Sequence, residues 1–241
     1  MKDGALWLVG GLDPSGGAGV LRDVATARAM APGRAVHVVV TALTQQGDGK
    51  PAVAGPMDAE ALRFQFLRAP EPAAVKVGLV PESVVATVVD ALRDVNVPRV
   101  VDPVLGASAG GSMGTSPDGF AALVSGSVVT PNRKEYDALV GGADPQGWLE
   151  LNGATALLRK GGHDGGDRVC DTLWTREEVR VFSRPRQDGP DPRGTGCALA
   201  TAVACGLADG NALGAAVGKS VAWLDTMRAR ARTLGAQVVL P

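Results

Sequence analysis

Residues 5–19 read ALWLVGGLDPSGGAG, and this stretch decides the fold class. The apolar run Ala5–Gly10 predicts a buried strand, and the glycines after it predict a tight turn. Helical periodicity follows over Ala18–Met30, and a second β-branched run covers Val36–Ala42. A strand, a glycine-rich turn, a helix and another strand are typical of two parallel strands joined by a helical crossover.

The same alternation continues along the chain. Further strands are predicted at Ala74–Gly78, Arg99–Asp102, Ser127–Thr130, Thr155–Lys160, Val169–Trp174 and Val179–Ser183, the last two as a hairpin. Further helices are predicted at Asp58–Arg68, Pro81–Val95, Pro117–Val124, Arg133–Val140, Gly196–Ala208 and Ala212–Ala231. The pattern predicts an α/β protein with a mostly parallel central sheet covered by helices on both faces. No linker divides the chain, so one domain over residues 1–241 is expected.

Charge and hydropathy exclude several function classes. The 241 residues carry 24 Lys and Arg against 25 Asp and Glu, so no global charge attracts nucleic acid or an anionic membrane. Uncharged apolar stretches such as Ala35–Gln46 and Cys197–Ala208 are too short to cross a bilayer. No secretory signal follows Met1. We therefore expect a cytoplasmic protein that binds neither nucleic acid nor membranes.

The first candidate for chemistry is the glycine-rich turn at Gly10–Gly19. Glycines at a strand-to-helix turn let main-chain N–H groups approach a ligand without a Cβ in the way. The turn has neither the dinucleotide-binding G-x-G-x-x-G spacing nor the Lys-Ser or Lys-Thr of a P-loop. A tight turn with no ligand is the alternative interpretation.

The second candidate is the segment DPRGTGCAL at residues 191–199. Gly194, Thr195 and Gly196 lead into an apolar helix, whose free N–H groups and dipole favour an anion or a developing negative charge. Cys197 stands at that helix start, where a thiol is expected to have a lowered pKa. A small buried core residue is the alternative for Cys197.

A third candidate lies where later strands end. Asn132 and Glu135 are spaced as a helix capping box, but an Asn and a Glu one turn apart can also hold water on Mg²⁺. Asp102 ends another strand and is a second candidate oxygen ligand. Lys160 ends a third strand and places a cation, followed by two glycines, at the same rim.

Seven motifs in order resemble those of the ribokinase superfamily, specifically the hydroxymethylpyrimidine/phosphomethylpyrimidine kinases of thiamin biosynthesis. The family's G-x-D-P-S-G-G-A-G, T-A-L-x-x-Q, K-x-G, D-P-V, T-P-N-x-x-E, K-G-G-H and G-T-G-C have counterparts across nearly the whole chain. They stand at Gly11–Gly19, Thr41–Gln46, Lys76–Gly78, Asp102–Val104, Thr130–Glu135, Lys160–His163 and Gly194–Cys197. The resemblance implies a ribokinase-like fold.

The resemblance also implies a substrate side of the site. Asp23 and Gln46 match positions that hold the aminopyrimidine in such kinases, with the backbone near Gly11 closing over it. The implied small-molecule partner is an aminopyrimidine alcohol, and a homodimer is expected.

On the phosphate side, the resemblance implies ATP and Mg²⁺ as cofactors. The Gly194–Gly196 amides would receive the transferring phosphoryl group, and Cys197 takes the place of the catalytic base. Asp102, Asn132 and Glu135 would organise Mg²⁺ and its waters, and Lys160 would face the nucleotide phosphates.

Two departures from the family pattern leave alternatives open. Ser108 and Ala25 stand where relatives carry Lys. Arg193, next to the Gly-Thr-Gly turn, is a candidate for binding the same phosphates in place of the missing Lys at 108. A pyridoxal or pyridoxine kinase is the nearest alternative function, because related enzymes share the Gly-Thr-Gly-Cys helix start. A non-catalytic pyrimidine-binding sensor is the alternative from another class.

Overall fold

The computed structural model describes residues 4–45, 52–105, 114–162, 164–189, 191–234 and 237–241. The strands in these ranges are β1 (Ala5–Leu12), β2 (Val36–Gln45), β3 (Val53–Pro56), β4 (Pro72–Val77), β5 (Arg99–Val101), β6 (Ser127–Val129), β7 (Ala156–Arg159), β8 (Arg168–Trp174), β9 (Val179–Pro185), β10 (Arg232–Leu234) and β11 (Gln237–Val239). The helices are α1 (Gly19–Met30), α2 (Ala59–Leu67), α3 (Val85–Leu92), α4 (Pro117–Val124), α5 (Arg133–Val140), α6 (Pro145–Asn152), α7 (Thr195–Ala208) and α8 (Leu213–Arg228).

Nine strands form one sheet in the order β3-β2-β1-β4-β5-β6-β7-β8-β9. The pairs from β2 through β7 are parallel, while β3, β8 and β9 are antiparallel to their neighbours. The chain moves from β1 to β2 on one side and returns to β4 on the other. This reversal beside β1 creates the crevice where ligands of such sheets bind.

The core lies on both faces of this sheet, as the sequence predicts. Alternate residues of β1 point to opposite faces, so Trp7 and Val9 pack with α2 to α6, and Leu6 and Leu8 pack with α1, α7 and α8. Helix α7 is buried along most of its length and packs over β4 and β5.

The predicted α/β architecture is confirmed, and the eight predicted strands and seven predicted helices are present with small shifts in their bounds. The predicted helix Pro81–Val95 is wrong in its first turn, which is a 3-10 turn at Glu82–Val84 before α3. The prediction missed α6, the antiparallel edge strand β3 and the hairpin β10–β11. In addition, the last long helix ends at Arg228 rather than at Ala231.

Candidate active site

A cavity of about 660 Å³ lies at the carboxyl edge of the parallel strands. Its walls come from the ends of β1, β4, β5, β6 and β7 and from the start of α7. Predicted site residues that line it are Gly11, Asp23, Asp102, Asn132, Glu135, Lys160, Arg193, Gly194, Thr195, Gly196 and Cys197. The fold therefore brings the sequence-predicted residues to one place. Gln46 and Ser108 lie outside the described residues, as does His163.

The two glycine turns lie against each other at the mouth of this cavity. Gly19 and Gly194 both have left-handed backbones, at φ +62° and +75°. A Cβ on Gly19 would collide with the Gly11 carbonyl oxygen, and a Cβ on Gly194 would collide with the Gly17 carbonyl oxygen. Only glycine fits these two positions, which explains why both turns contain it.

A buried carboxylate ties the two turns together. Asp13 is 1% exposed, and its Oδ2 accepts a hydrogen bond from Arg193 Nη2 at 3.0 Å. Arg193 Nη1 also donates to Ser15 Oγ at 3.2 Å and to Gln237 Oε1 at 2.6 Å. The Arg193 guanidinium thus contacts three protein acceptors. Its predicted contact with ATP phosphates stays a prediction and would have to form alongside them.

The first turn of α7 supplies free amides to the cavity. The N-cap residue is Gly194, and no side chain among the described residues caps the helix. The first intrahelical bond runs from the Ala198 N–H to the Gly194 carbonyl. The N–H groups of Thr195, Gly196 and Cys197 precede this bond, so they are available to an anion.

Cys197 stands where predicted, but its titration differs from the expectation. Burial raises the pKa of its thiol to about 11, and the Lys76 ammonium offsets only part of this effect. The predicted lowering of the pKa by the helix N-terminus is therefore wrong. Burial away from water destabilises the thiolate more than the nearby cation and the helix N-terminus stabilise it.

Asp102 and Lys160 form an ion pair below the start of α7. Lys160 Nζ donates to Asp102 Oδ1 at 2.7 Å, and Thr130 Oγ1 donates to the same oxygen at 3.3 Å. Burial disfavours the charged carboxylate, yet Lys160 and Lys76 keep the pKa of Asp102 below its usual value. A Cβ on Gly196 would lie 3.1 Å from Lys160 Nζ. The Lys160 ammonium therefore sits beside the amides that an anion would use.

Asn132 and Glu135 form the capping box of α5. Glu135 N–H donates to Asn132 Oδ1 at 3.1 Å, and Asn132 N–H donates to Glu135 Oε2 at 2.8 Å. The structural alternative raised from the sequence is thus correct, and it does not exclude a second role. Burial raises the pKa of Glu135 to about 7, although Lys160 lowers it.

The carboxylates present are compatible with Mg²⁺. Asp102 Oδ2 and Glu135 Oε1 accept no hydrogen bond from the described residues, so each carboxylate keeps one free oxygen at the cavity. Mg²⁺ is commonly held by one or two carboxylates, with waters and substrate phosphates completing its shell. Among the described residues no three His, Cys, Asp or Glu side chains come together as a metal site. A Mg²⁺ ion held by these two carboxylates would need waters and substrate phosphates to complete its shell.

Glu135→Gln is expected to raise the Mg²⁺ concentration for half-maximal activity by about tenfold or more, because a lost carboxylate weakens the metal shell. The amide can still accept the Asn132 N–H, so the cap remains. Glu135→Ala, which loses the cap as well, is the matched control for stability. An unchanged Mg²⁺ requirement with a much lower melting temperature in both variants would leave only the capping role.

The same variant has a pH signature in stability. The Glu135 carboxyl has a raised pKa of about 7 in the folded protein. Its contribution to the free energy of unfolding is therefore fully present at low pH and is lost as pH rises from about 4.5 to 7. Relative to wild type, Glu135→Gln should therefore gain roughly 2–3 kcal/mol in free energy of unfolding across that window. Denaturant titrations at pH 5 and pH 8 measure the change.

Two functional features escaped the sequence prediction. Lys76 and Thr201 bind Asp23 deep in the cavity, where Lys76 Nζ meets Asp23 Oδ2 at 2.8 Å and Thr201 Oγ1 donates to Asp23 Oδ1 at 2.9 Å. Both carboxylate oxygens of Asp23 are thus already bonded. The predicted binding of the aminopyrimidine by Asp23 stays a prediction. The K-x-G motif and the lone charge within the apolar stretch Pro72–Val77 were sequence signals for Lys76, but neither identifies Asp23 as its partner.

The second feature supports the turn after β7. Asp171, 1% exposed, accepts the Gly161 N–H at 2.7 Å and pairs with Arg184 Nη1 at 2.7 Å. Arg184 in turn bonds Asp225 of α8 at 2.8 Å. This chain of contacts holds the backbone next to Lys160. The pairing of residues far apart in sequence left no local pattern to detect it.

A family model described as phosphomethylpyrimidine kinase matches residues 13–240. The chain belongs to that family. Among its relatives, a hydroxymethylpyrimidine/phosphomethylpyrimidine kinase of Streptomyces coelicolor is 35% identical over 87% of this chain and 82% of its own length. The enzyme of the same name from Rhizobium meliloti is 32% identical, with 90% and 87% covered.

Solved structures show the same fold in this family and in other vitamin kinases. Phosphomethylpyrimidine kinase from Clostridium difficile has a TM-score of 0.74 and 26% identity, covering 93% of this chain and 99% of that one. Pyridoxal kinase from Staphylococcus aureus in complex with pyridoxal has a TM-score of 0.86 and 20% identity, covering 100% and 94%. The ribokinase-like fold implied by the motifs is thereby confirmed. In the described part of the chain, no helix is long and apolar enough to span a membrane.

Proposed function

We propose that this member of the family phosphorylates the hydroxymethyl group of 4-amino-5-hydroxymethyl-2-methylpyrimidine, and then the monophosphate formed, in thiamin biosynthesis. ATP is the phosphoryl donor. The observation that carries the proposal is the family match over residues 13–240. Relatives at 30–35% identity are named hydroxymethylpyrimidine/phosphomethylpyrimidine kinases. The cavity geometry supports the proposal, because the start of α7, Lys160, Asp102, Glu135 and Cys197 line one space.

The phosphoryl group is positioned by α7 and the rim. The amides of Gly194, Thr195 and Gly196, the set that the family motif implies, receive its oxygens, since the N-terminal end of a helix favours negative charge. The Lys160 ammonium adds a positive charge at the same place. Such transfer depends mainly on positioning and charge neutralisation, which these groups provide.

The substrate hydroxyl attacks the γ-phosphorus as the bond to the ADP oxygen breaks, and its proton passes to Cys197. The Cys197 side chain lines the cavity beside the amides that receive the phosphoryl group, so a single site serves both tasks. The raised pKa of the thiol makes the thiolate a strong base once formed. Mg²⁺, held through Asp102 and Glu135 with its waters, would neutralise phosphate charge, and Asn132 would orient those waters.

The pyrimidine lies at the inner end of the cavity in this proposal. The backbone of Gly11, at the carboxyl end of β1, lines the space there, and Leu79 packs directly against it. Gln46 contributes hydrogen bonds to the aminopyrimidine edge, a role that rests on the family motif. An amide can both donate to and accept from that edge.

Pyridoxal phosphorylation is the second candidate, because the Staphylococcus aureus pyridoxal kinase shares the fold over the whole chain. At 20% identity that likeness shows the fold alone, whereas the relatives at 30–35% carry the pyrimidine kinase name. A sensor without activity is disfavoured by the placement of Cys197, Lys160 and the α7 amides around one cavity.

Purified protein with Mg²⁺ and ATP tests the proposal directly. We expect release of ADP that depends on the pyrimidine alcohol, with mono- and diphosphate products found in turn by mass spectrometry. Tight pyrimidine binding without ADP release would support the sensor instead. Product formation that stops at the monophosphate would remove the second step from the proposal.

We also propose a homodimer, a single kinase domain and a cytoplasmic location. Of the seven large apolar side chains that are more than half exposed in the described residues, four lie on β2, β3 and α2, namely Leu43, Val53, Phe64 and Leu67. They surround the edge strand β3, which pairs on one side only. Exposed apolar side chains beside an unpaired strand edge suit a second copy of the chain.

Sedimentation should accordingly give about twice the monomer mass of 24.5 kDa. Phe64→Glu is expected to shift the protein to monomer, because a carboxylate at the centre of an apolar interface would be left without water or partner. The exposed Leu151→Glu, on α6, is the matched control and should leave the mass unchanged. A monomeric wild type contradicts the dimer.

A further inference from the structure

Three buried polar side chains from three elements meet beneath the start of α7. They are Lys76 of β4, Asp23 of α1 and Thr201 of α7, all 2% exposed or less. Lys76 and Asp23 form an ion pair at 2.8 Å, and Thr201 donates to the other Asp23 oxygen. Nothing about sheet packing requires charges here, because the flanking Ala74 of β4 packs its side chain into the apolar core on the same face.

A buried ion pair is weak evidence for stability. Removing two charges from water costs several kcal/mol per ion, and apolar residues of similar size are often as stable. The pair therefore needs another explanation, and its position suggests one. It lines the same cavity as Cys197, at the end that protein surrounds most completely.

The Lys76 ammonium is aimed into that cavity. It lies over Gly78, where an added Cβ would be 2.8 Å from Nζ. An ammonium has three N–H donors, and among the described residues Asp23 is the sole hydrogen-bond acceptor for it. The other two donors have no acceptor among the described residues, and Lys76 lines the cavity.

Asp23 and Thr201 hold this ammonium next to Cys197. Thr201 is four residues after Cys197 on α7, so the two side chains lie on the same face of the helix. Because Asp23 bonds Thr201 and Lys76 together, the position of the ammonium is tied to the helix that carries the thiol.

Other charges also face the thiol, and most are already engaged. Arg22 of α1 donates to the carbonyls of Leu240 and Pro241, and Lys160 is paired with Asp102. Lys76 lowers the pKa of Cys197 more than any other group, while Asp23 and Asp102 raise it.

We propose that Lys76 is a positioning residue for Cys197: its ammonium, held by Asp23 and Thr201, places beside the thiol the positive charge that favours the thiolate. The role of Cys197 as base belongs to the proposed function, on which this inference rests. The charge interaction itself is independent of any substrate. It can be measured on the protein alone.

Alkylation of Cys197 by iodoacetamide, followed at each cysteine by mass spectrometry, measures the thiolate fraction, since the thiolate is the nucleophile. At pH 8, Lys76→Met should slow this alkylation about tenfold, the effect of one opposite charge at close range. Asp23→Asn should accelerate it several-fold. Lys219→Met, at an exposed site bonded to Asn211, is the control and should change nothing.

The decisive result is that Lys76→Met slows the alkylation of Cys197 whereas Asp23→Asn accelerates it. A purely structural role for the pair would loosen the site in both variants and would change alkylation in the same direction. Equal directions, or no change in Lys76→Met, overturn the proposal. If Lys76→Met does not fold because Asp23 is left alone, the double variant with Asp23→Asn keeps the pair neutral. Its alkylation should be slower than wild type, and an equal or faster rate overturns the proposal.

Kinetics separate this inference from the proposed function. Lys76→Met is expected to lower kcat for the pyrimidine about tenfold or more, with its KM changed less than threefold, because the ammonium acts on the base and not on the substrate ring. A protein that phosphorylates no pyrimidine but shows the opposite alkylation effects would refute the proposed function and leave the charge interaction standing.

Discussion

Cys197→Ala should lower kcat by about 10²- to 10⁴-fold while the dissociation constant for the pyrimidine stays within a few-fold of wild type. This range is the usual contribution of a positioned general base. Cys and Ala differ by a single sulfur atom, so the substitution opens little space and the fold should persist. Single-turnover kinetics and calorimetric binding measure the two quantities separately.

The raised pKa gives this prediction a second measurement. With the thiol pKa at about 11, only a small fraction is thiolate at neutral pH, so kcat should increase about tenfold per pH unit between pH 7 and 9. Cys197→Asp supplies a carboxylate that is ionised throughout this range, and the increase should disappear. A wild-type rate independent of pH, or near-normal turnover in Cys197→Ala, would contradict the assignment of Cys197 as base.

Gly194→Ala is the second change with a large expected effect. The residue has a left-handed backbone, and the new Cβ would collide with the Gly17 carbonyl. Because that oxygen belongs to the main chain, one of the two turns must move. A displacement near 1 Å of catalytic groups can cost about 100-fold in rate. We expect kcat to fall at least that far, because the first amides of α7 are displaced from the phosphoryl site.

Gly210→Ala is the control that separates the displacement of the two turns from the backbone strain of an alanine in the left-handed region. Gly210 also has a left-handed backbone, at φ +80°, but a Cβ there meets nothing within 4 Å. It should lose about 1–2 kcal/mol of stability and keep normal activity. If Gly194→Ala resembles Gly210→Ala in both stability and rate, the two turns do not fix the phosphoryl site.

The sequence predicts the elements well where a local pattern determines them. The alternation of β-branched strands with amphipathic helices predicted the parallel sheet. The motifs predicted which residues lie at the carboxyl edge of that sheet. Helix α6 was missed although its signals are present: Asp144 caps it, Pro145 occupies its first turn and Gly153 ends it. Edge strand β3 was missed because it pairs with β2 only through the tertiary structure.

The site was harder to predict where distant residues interact. Asp13 and Arg193 are 180 positions apart, and Asp23 and Lys76 are 53 apart, so no local spacing reveals either pair. The pKa of Cys197 was predicted in the wrong direction because burial of the thiol depends on the packing of α1 and β4 around it.

We propose that this cavity selects the aminopyrimidine alcohol for phosphoryl transfer. Measuring kcat/KM for 4-amino-5-hydroxymethyl-2-methylpyrimidine and for pyridoxal under the same ATP and Mg²⁺ concentrations tests it most directly. A site built to hydrogen-bond a substrate edge rejects a ring that lacks those groups. We expect the pyrimidine to be preferred by at least about tenfold. An equal or higher kcat/KM for pyridoxal would contradict the account.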